Sequence, residues 1–559
     1  MFIHLSLRIS QISVILFLLF SFILILPSCT TDYPDELEAT HSKSIDDQLD
    51  YYSIATVWQM LEERGPVRNW EEYTDDKLIF SIGVHTDSTY SVGVQPPGTE
   101  DLKGRMHTTN FDSPVWEEYR NVVKAIVLKN PNNKFLHVQP IRISIAVKIE
   151  DFETFKLLRS SPFVRWIHPT NSFFFNKNNK GKGLSFAKGP STGGTPSIPS
   201  DPIASSTCSC EISVTVNPAD YTDVTQPYVN KLPWNYNLHD VSNRSWIESE
   251  GQNIGVAVID TGVSDDQENL GSSFNTPPFS TSRVIQKVNT LRYRLDGNGR
   301  IIIPVDSQSA DDDCGHGTRM AGIIGAPKGF DGAAVGVAPQ CDLYIYRAVF
   351  NPVIDQQEEF EAVAEALELA SQNAAVKIIS MSIGQIPGEP DSPLLEIALD
   401  LADDNDKLVY CAAGTLPGLA QNFDVVFPAS YAFTRAVTGI RTPFSYPNAL
   451  DQNDPECSSC FTGPEVDHAV IMQRPQGFVD ADQRTTLTLS CEGDEPNYSD
   501  GTSCATATQA GMAALVWADQ GVNVPRTNVE SIIISSSSNA TQVSQKFGFG
   551  WLDLEVAIP

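Results

Sequence analysis

The sequence predicts an α/β protein whose main domain, residues 207–559, is a doubly wound, mostly parallel sheet with helices on both faces. Helical patterns such as residues 358–371 lie between short, continuous apolar runs, and such runs are typical of parallel strands buried on both faces. Strands that alternate with helices indicate a parallel sheet, which carries functional residues at the carboxyl ends of its strands. The apolar runs are residues 254–259, 343–349, 376–383 and 408–413.

A smaller α+β unit of the ferredoxin-like kind is predicted for residues 78–173, followed by a linker at 174–206. The linker is rich in Gly, Ser, Thr, Pro, Asn and Lys, so it cannot bury a core and is expected to be flexible and open to proteases. Residues 30–77 form an acidic N-terminal region with no assigned function. Within the unit the predicted strands are 77–84, 142–147 and 164–167, and the predicted helices are 116–128 and 151–158.

The N-terminus, residues 1–29, is predicted to be a lipoprotein-type signal peptide. Residues 12–26 are almost wholly apolar, which is short for a membrane span and fits the apolar region of a signal peptide. The segment that ends in Cys29 resembles a bacterial lipoprotein signal, which implies that Cys29 is acylated. The expected location is a bacterial membrane surface facing the periplasm or the cell exterior, or else secretion. An ordinary cleaved signal peptide and an uncleaved anchor are the alternatives.

The net charge of −31 excludes two classes of partner. A surface this acidic repels nucleic acid phosphates and anionic lipid head groups. We therefore expect no nucleic acid partner and no membrane contact other than the lipid anchor.

The ten cysteines predict a mixture of disulfides and buried thiols. Cys411 and Cys504 lie in apolar segments and are expected to be buried thiols. Cys457, Cys460 and Cys491 lie in polar loop sequence and are better candidates for disulfides, whose pairing stays open.

Three separate stretches carry residues that suit nucleophilic catalysis. Asp260 ends an apolar run before a Gly turn, where many α/β proteins place an Asp for ligands or metals. His316 lies between glycines at the start of a helix, which permits close approach of a substrate backbone. Ser503 begins an apolar helix; a serine there is usually only a cap, but its own N–H at the positive end of the helix can stabilise an oxyanion.

Together, Asp260, His316 and Ser503 predict a catalytic triad. Because a hydroxyl is a poor nucleophile at neutral pH, a base must take its proton, and a carboxylate must fix the tautomer and orientation of that base. The chain order Asp, His, Ser is one of several in which this arrangement occurs, and it belongs to subtilisin.

These residues and further ordered segments resemble the subtilase family over roughly residues 230–559. The resemblance implies a subtilisin-like fold, serine endopeptidase activity, polypeptide substrates and no required cofactor. Many subtilases hold structural calcium, but no diagnostic loop is evident here. The segments that carry the resemblance are 232–234, 245–247, 336–339, 380–384, 427–429, 463–467 and 549–553.

The resemblance also implies roles around the triad. The backbone of Ser382, Ile383 and Gly384 is expected to pair with substrate. Thr415 stands where subtilases usually carry an Asn that donates to the oxyanion. The hydroxyl of Thr415 still offers one donor, so Thr415 and the Ser503 N–H are the expected oxyanion donors. Because threonine replaces the usual asparagine, the protease is expected to be less active than a typical subtilase.

Residues 78–173 resemble a subtilisin-type prodomain, because the ending at 163–169 is similar to the family's closing strand. This implies a zymogen in which the chain's own prodomain blocks the cleft until the linker is cut. A permanent accessory domain is the alternative.

Two points stay open. Asp311, Asp312 and Asp313 can bind a cation, although adjacent carboxylates in a loop are more often solvated, and no metal ligands are assigned. The chain is expected to be an active secreted endopeptidase. One alternative is a weakly active or inactive subtilase relative that acts as a peptide-binding surface protein; the only feature that suggests it is Thr415. The other alternative is a peptide ligase or cyclase.

Overall fold

The structure is a computed structural model, and the residues that it describes all belong to one of the two units into which the chain divides, Trp58–Pro559. The predicted signal peptide with Cys29, the acidic region 30–77, the strand predicted at 77–84 and the linker 174–206 lie outside the described residues. The described residues are 89–96, 113–169, 208, 216–224, 229–271, 284–291, 293–295, 301–304, 309–329, 332–385, 387, 391–415, 424–442, 444–445, 449–450, 456–457, 459–474, 486–493 and 495–559.

The α+β unit has the order βαββαβ, and its sheet has the strand order β2-β3-β1-β4 with antiparallel neighbours. This is the ferredoxin-like arrangement that the sequence predicts. Strands β1 and β2 were not predicted. β1 alternates polar or small residues with Tyr90, Val92 and Val94, so its signal was overlooked, whereas β2 shows no clear alternation. The elements are β1 Thr89–Val94, α1 Pro114–Val127, β2 Lys134–Val138, β3 Ser144–Lys148, α2 Phe152–Arg159 and β4 Val164–Pro169.

The sheet of this unit is covered on both faces. All six residues of β1 are buried, although successive side chains of a strand point to opposite faces. One face packs on α1 and α2 through apolar side chains, and the other carries polar groups such as Ser91, His137 and Gln139. His137 and Gln139 both reach Glu361 of the large domain, so the polar face docks on that domain.

The large domain is built on a seven-stranded sheet with the order β8-β11-β7-β13-β15-β16-β19, in which all neighbours are parallel. The predicted apolar runs become β7, β11, β13 and β15, which confirms the doubly wound prediction. The strands are β7 Gly255–Asp260, β8 Val284–Asn289, β11 Asp342–Arg347, β13 Val376–Met381, β15 Leu408–Ala412, β16 Arg435–Arg441 and β19 Val466–Gln473.

Short two-stranded ribbons and seven α-helices complete the large domain within the described residues. The ribbons pair β5 Tyr221–Val224 with β6 Asn230–Pro233, β9 Tyr293–Leu295 with β10 Ile301–Pro304, β12 Val353–Ile354 with β14 Gly384–Gln385, β17 Phe444–Ser445 with β18 Ala449–Leu450, and β20 Thr486–Leu489 with β21 Pro496–Ser499. The longer helices are α4 His316–Gly325, α5 Gln357–Gln372, α6 Pro393–Asp404, α7 Gly501–Gln520 and α8 Arg526–Ser535, and the short ones include α3 Trp246–Glu248 and α9 Leu554–Ala557.

The strand order places a topological switch point between β7 and β13. The sheet strands that follow β7 in the chain, β8 and β11, lie on one side of it, and those that follow β13, namely β15, β16 and β19, lie on the other. Ligands of open α/β sheets bind at the carboxyl ends of the strands beside such a switch point. Asp260 is the last residue of β7, and Ser382 follows β13 directly.

Helix α7 forms the centre of the core. Residues 504–517 are all buried, and the helix contacts β13, β15, β16, β19 and α4. Small side chains allow this approach: a Cβ at Gly511 would lie 2.7 Å from Val337 Cβ. The first turn of α7, which carries Ser503, is thereby held against the sheet.

The cysteines agree with the predicted division. Cys341, Cys411 and Cys504 are buried thiols that form no disulfide, and burial raises the pKa of Cys411 and of Cys504. Cys457 is bonded to Cys460, and Cys491 is also in a disulfide. The bond between Cys208 and Cys314 was not predicted, because 106 residues separate the two.

Among the described helices, none has the length and apolar content needed to cross a membrane.

Candidate active site

Asp260 and His316 form a buried hydrogen-bonded pair at the switch point. His316 Nδ1 lies 2.7 Å from Asp260 Oδ1, which also accepts from the Thr261 N–H at 2.8 Å. The two residues are 1% and 5% exposed. A carboxylate accepts from Nδ1–H, so this contact leaves Nε2 of the neutral imidazole as the acceptor. The pair can therefore act as an oriented base.

Glycines bring the two residues together. Gly315, the N-cap of α4, has a φ of 81°, which favours glycine and turns the chain into the helix that His316 begins. A Cβ at Gly317 would lie 2.2 Å from the carbonyl oxygen of Gly262, so the helix start packs directly on the turn after Asp260. The glycines around His316 serve this close approach.

Ser503 lies in the first turn of α7 and is partly exposed. Its Oγ donates to the Ser382 carbonyl oxygen at 3.3 Å, and Ser382 Oγ donates to the Ser503 carbonyl oxygen at 2.9 Å. The structure therefore ties Ser503 to the end of β13 and records no hydrogen bond between Ser503 and His316, both of which it describes.

The N–H of Ser503 is available to a ligand. Gly501 N–H donates to Asp500 Oδ1 at 2.6 Å, and Thr502 N–H donates to Thr415 Oγ1 at 2.8 Å. Within the described residues the Ser503 N–H has no recorded acceptor. An unpaired N–H at the start of a 20-residue helix attracts negative charge.

Thr415 lies against the first turn of α7. A Cβ at Gly501, whose φ is 80°, would lie 2.6 Å from Thr415 Oγ1. Thr415 Oγ1 is also 2.9 Å from Thr502 Oγ1, which accepts from the Gly414 N–H at 3.1 Å. A hydroxyl has one proton and two acceptor positions. If Thr502 donates to Thr415, both acceptor positions of Thr415 are filled and its own proton is directed elsewhere.

The segment at Cys460 and Phe461, which the sequence analysis did not connect with the site, packs against Thr415 and Gly414. Cys460 pairs with Thr415 in an antiparallel bridge, and the Phe461 N–H donates to the Gly414 carbonyl oxygen at 2.9 Å. The disulfide Cys457–Cys460 closes the loop that precedes this contact. The only sequence signal was the Cys-x-x-Cys spacing, which does not say which strand the loop touches.

The expected substrate strand, Ser382 to Gly384, lies between Ser503 and β12. The Gly384 N–H donates to the Pro352 carbonyl oxygen at 3.1 Å, and Gly384 pairs with Val353. This N–H is therefore already used in the described structure. The pairing of Ser382, Ile383 and Gly384 with a peptide remains a prediction.

The three adjacent aspartates do not fit a cation site. Asp312 is 4% exposed, and protein donors fill both of its oxygens. Asp313 pairs with Arg347 Nη2 at 2.6 Å. Neither the solvated loop nor the cation site that the sequence suggested describes Asp312. No group of three or more His, Cys, Asp or Glu side chains that suits a metal occurs among the described residues.

The family model for the subtilase family matches residues 251–551, which is more than half of the chain. The chain belongs to the subtilase family. This match includes the three predicted triad positions and Thr415.

Curated relatives of this subtilase are proteases. It is 29% identical to a thermostable alkaline protease of Halalkalibacterium halodurans over 51% of this chain and 62% of the relative. It is 27% identical to thermitase of Thermoactinomyces vulgaris over 50% of this chain and 79% of the relative. The subtilase thus spans less than two thirds of the first of these relatives.

A solved structure supports the fold. Fervidolysin from Fervidobacterium pennivorans, described as a keratinolytic enzyme related to subtilisin, aligns with a TM-score of 0.52 over 85% of this chain and 61% of its own. Because the two sequences are only 17% identical, this likeness supports the fold of the chain and carries nothing about its function.

Proposed function

We propose that the chain is a serine endopeptidase in which Ser503 attacks the scissile carbonyl, His316 takes and returns the proton, and Asp260 orients His316. The observation that carries the proposal is the 2.7 Å hydrogen bond between His316 and Asp260 at the switch point. The proposal requires the Ser503 hydroxyl to turn from the Ser382 carbonyl towards His316 Nε2. Hydrogen bonds of this kind often form only when substrate is bound.

The oxyanion of the tetrahedral intermediate is held by the Ser503 N–H and the Thr415 hydroxyl. The unpaired N–H at the start of α7 supports the first donor, and the contacts of Thr415 with Thr502 support the second. Fixed donors of this kind stabilise the transition state because they need no reorientation during the reaction.

The test of this function is the mass of the products. Incubation with an extended peptide is expected to give two fragments whose combined mass exceeds that of the substrate by one water. A joined or cyclic product would identify a ligase instead, and an intact peptide that co-purifies with the protein would identify a binding protein. Peptide hydrolysis is favoured because His316 and Asp260 already form a hydrogen bond and Ser503, the candidate nucleophile, is partly exposed.

The proposal includes a zymogen in which the α+β unit is the prodomain. Its polar sheet face docks on α5, where it leaves a cavity of about 670 Å³. Charged residues of both domains line this cavity: Arg120, Lys124, Arg142 and Glu117 of the α+β unit, and Glu358, Glu361, Glu365 and Glu368 of α5. Opposite charges favour docking, and an incompletely filled interface suits a unit that must leave.

One ion pair lies at the centre of this interface. His137 Nε2 is 2.8 and 2.7 Å from the two carboxylate oxygens of Glu361. Gln139 and Gln357 donate to Oε1 of the same carboxylate at 3.1 and 3.0 Å. Burial lowers the pKa of His137, but the hydrogen bond and charge of Glu361 outweigh burial and raise it overall. Burial raises the pKa of Glu361, but His137 and the two glutamines lower it overall.

The docked state is therefore expected to loosen as pH rises. Because docking raises the pKa of His137, this side chain stabilises the docked state fully below the usual pKa of 6.5. The contribution is lost as pH rises through the raised pKa and His137 loses its proton. The lowered pKa of Glu361 contributes above the usual 4.5 and is lost as pH falls through the lowered value. Amide protection of residues 357–372 in the inactive Ser503→Ala protein, taken as the exchange rate relative to the intrinsic rate at the same pH, should be greatest near pH 5–6, an approximate window set by these shifts.

The matched control is His137→Gln in the same inactive background. Glutamine keeps a donor but has no titration in this range, so the loss of protection between about pH 6 and 8 should disappear. An identical loss of protection in both proteins would show that another group sets the pH dependence.

We further propose that the protein is exported and anchored through an acylated Cys29. N-terminal sequencing of the protein from its host tests this together with cutting of the linker. An N-terminus at Cys29 supports the anchor, and one within 174–206 indicates that cutting releases the large domain from it. An N-terminus at residue 1 contradicts both.

A further inference from the structure

Asp312 collects more hydrogen bonds than any other carboxylate near the proposed triad. Its Oδ1 accepts from the Thr261 hydroxyl at 2.8 Å, the Cys314 N–H at 3.1 Å and the Gly315 N–H at 2.7 Å. Its Oδ2 accepts from the N–H and the hydroxyl of Thr318 at 2.8 and 2.7 Å. A carboxylate offers about four lone-pair positions, so Asp312 is filled by protein donors.

These donors lie on both sides of the Asp260–His316 pair. Thr261 follows Asp260, Gly315 precedes His316, and Thr318 lies in the first turn of the helix that His316 begins. Asp312 is therefore bonded to both segments whose relative position sets the hydrogen bond between the imidazole and the carboxylate.

Two hydroxyl bridges extend this connection. The Gly317 N–H donates to Thr261 Oγ1 at 2.8 Å, and the Thr261 hydroxyl donates to Asp312. The Ser264 N–H donates to Thr318 Oγ1 at 2.9 Å, and the Thr318 hydroxyl also donates to Asp312. Each bridge links the turn after β7 to the start of α4, with the carboxylate at its end. Both hydroxyl protons are thereby fixed in direction.

The carboxylate itself is held in place. Asp311 Oδ1 accepts from the Asp312 N–H at 3.0 Å, and Arg347 Nη1 donates to the Asp311 carbonyl oxygen at 2.7 Å. The disulfide between Cys208 and Cys314 fixes the next turn of the same loop. The anion also lies at the N-terminus of α4, where the helix dipole favours negative charge.

We propose that Asp312 is a positioning residue for the reaction: it fixes the turn after Asp260 and the start of α4 so that the His316 imidazole keeps its bond to Asp260 and its Nε2 stays aimed at the nucleophile. This inference rests on the proposed protease function. Its requirement is for an acceptor at both oxygens, because donors approach from both sides. A misplacement of about 1 Å at a reacting group can cost about 10²-fold in rate.

The test compares full-length variants by kcat for each active site that a serine-directed probe titrates. Asp312→Asn keeps the shape of the side chain but replaces one acceptor oxygen with an NH₂ group, which cannot accept from the donors on that side. We expect kcat per titrated site to fall at least tenfold, with KM within about twofold. Thr261→Val removes one bridge and should act in the same direction, and Thr261→Ser should restore most of the turnover. Asp313→Asn, whose carboxylate is 79% exposed, is the matched control and should resemble wild type.

A merely structural Asp312 would lower the fraction of titratable sites and leave kcat per site unchanged, and that result would overturn the inference. The low-field proton resonance of His316 Nδ1–H gives a second measurement that needs no turnover. It should weaken or shift in Asp312→Asn and persist in Asp313→Asn. If wild type hydrolyses nothing, the proposed function fails, whereas the resonance still decides whether Asp312 positions His316; an unchanged resonance contradicts it.

Discussion

Replacing Ser503 with alanine is expected to lower kcat for peptide hydrolysis by about 10⁶-fold, a magnitude that belongs to subtilisin, a relative of this chain. The reason is that no other hydroxyl is proposed to form the acyl-enzyme intermediate. The variant should fold normally, because the lost side-chain contact is a single 3.3 Å hydrogen bond to Ser382. Such a bond contributes about 1 kcal/mol.

The measurement is single-turnover hydrolysis of a quenched fluorescent peptide, with thermal unfolding as the check on folding. Ser535→Ala, on the exposed face of α8, is the control and should keep the wild-type rate. A Ser503→Ala protein that retains more than about a hundredth of wild-type kcat would mean that another group is the nucleophile.

Thr415 is the position with the second largest expected effect. Thr415→Val keeps the shape but removes the hydroxyl, and kcat should fall by roughly 10- to 100-fold with little change in KM. Loss of the corresponding donor in subtilisin, where it is an Asn, costs about 10²–10³. The substitution also leaves the Thr502 N–H without its acceptor, which should destabilise the fold by about 1–3 kcal/mol.

Thr415→Asn is expected to raise turnover. The side-chain oxygen of asparagine can accept from the Thr502 N–H as Thr415 Oγ1 does, and its NH₂ group can then donate to the oxyanion. Thr415→Ser keeps the hydroxyl and serves as the matched control, with kcat close to wild type. Equal turnover in the Val, Ser and Asn variants would remove Thr415 from the oxyanion site.

The sequence predicts the parts of the fold that have a local signal. Apolar runs identify β7, β11, β13 and β15 because these strands are buried on both faces. Strand β8 was missed since it lies at the edge of the sheet and mixes exposed residues such as Ile285 with partly buried ones. Strands β16 and β19 were missed because polar residues such as Thr438 and His468 interrupt their apolar character.

The site divides in the same way. Asp260, His316 and Ser503 could be selected as candidates, since each stands at a strand end or helix start with glycines nearby, and their order along the chain made them a predicted triad. Their partners could not. Asp312 looked solvated because its donors Thr261 and Thr318 reach it only when the turn after β7 folds against the start of α4.

Thr415 likewise owes its position to distant contacts. It is held by Thr502, which lies 87 residues further along the chain, and by a bridge to Cys460. No local pattern in the sequence reports that these three segments meet. The ion pair of His137 with Glu361 is a similar case, since 224 residues separate the two.

The proposed triad requires an activated hydroxyl at Ser503, and a fluorophosphonate probe measures this reactivity directly. Treatment of the native protein followed by peptide mass mapping is expected to place the phosphonyl group on Ser503, with labelling lost in His316→Ala and after denaturation. A native, folded protein that takes up no label, or that carries it on a different serine, would contradict the assignment of Asp260, His316 and Ser503 as a catalytic triad.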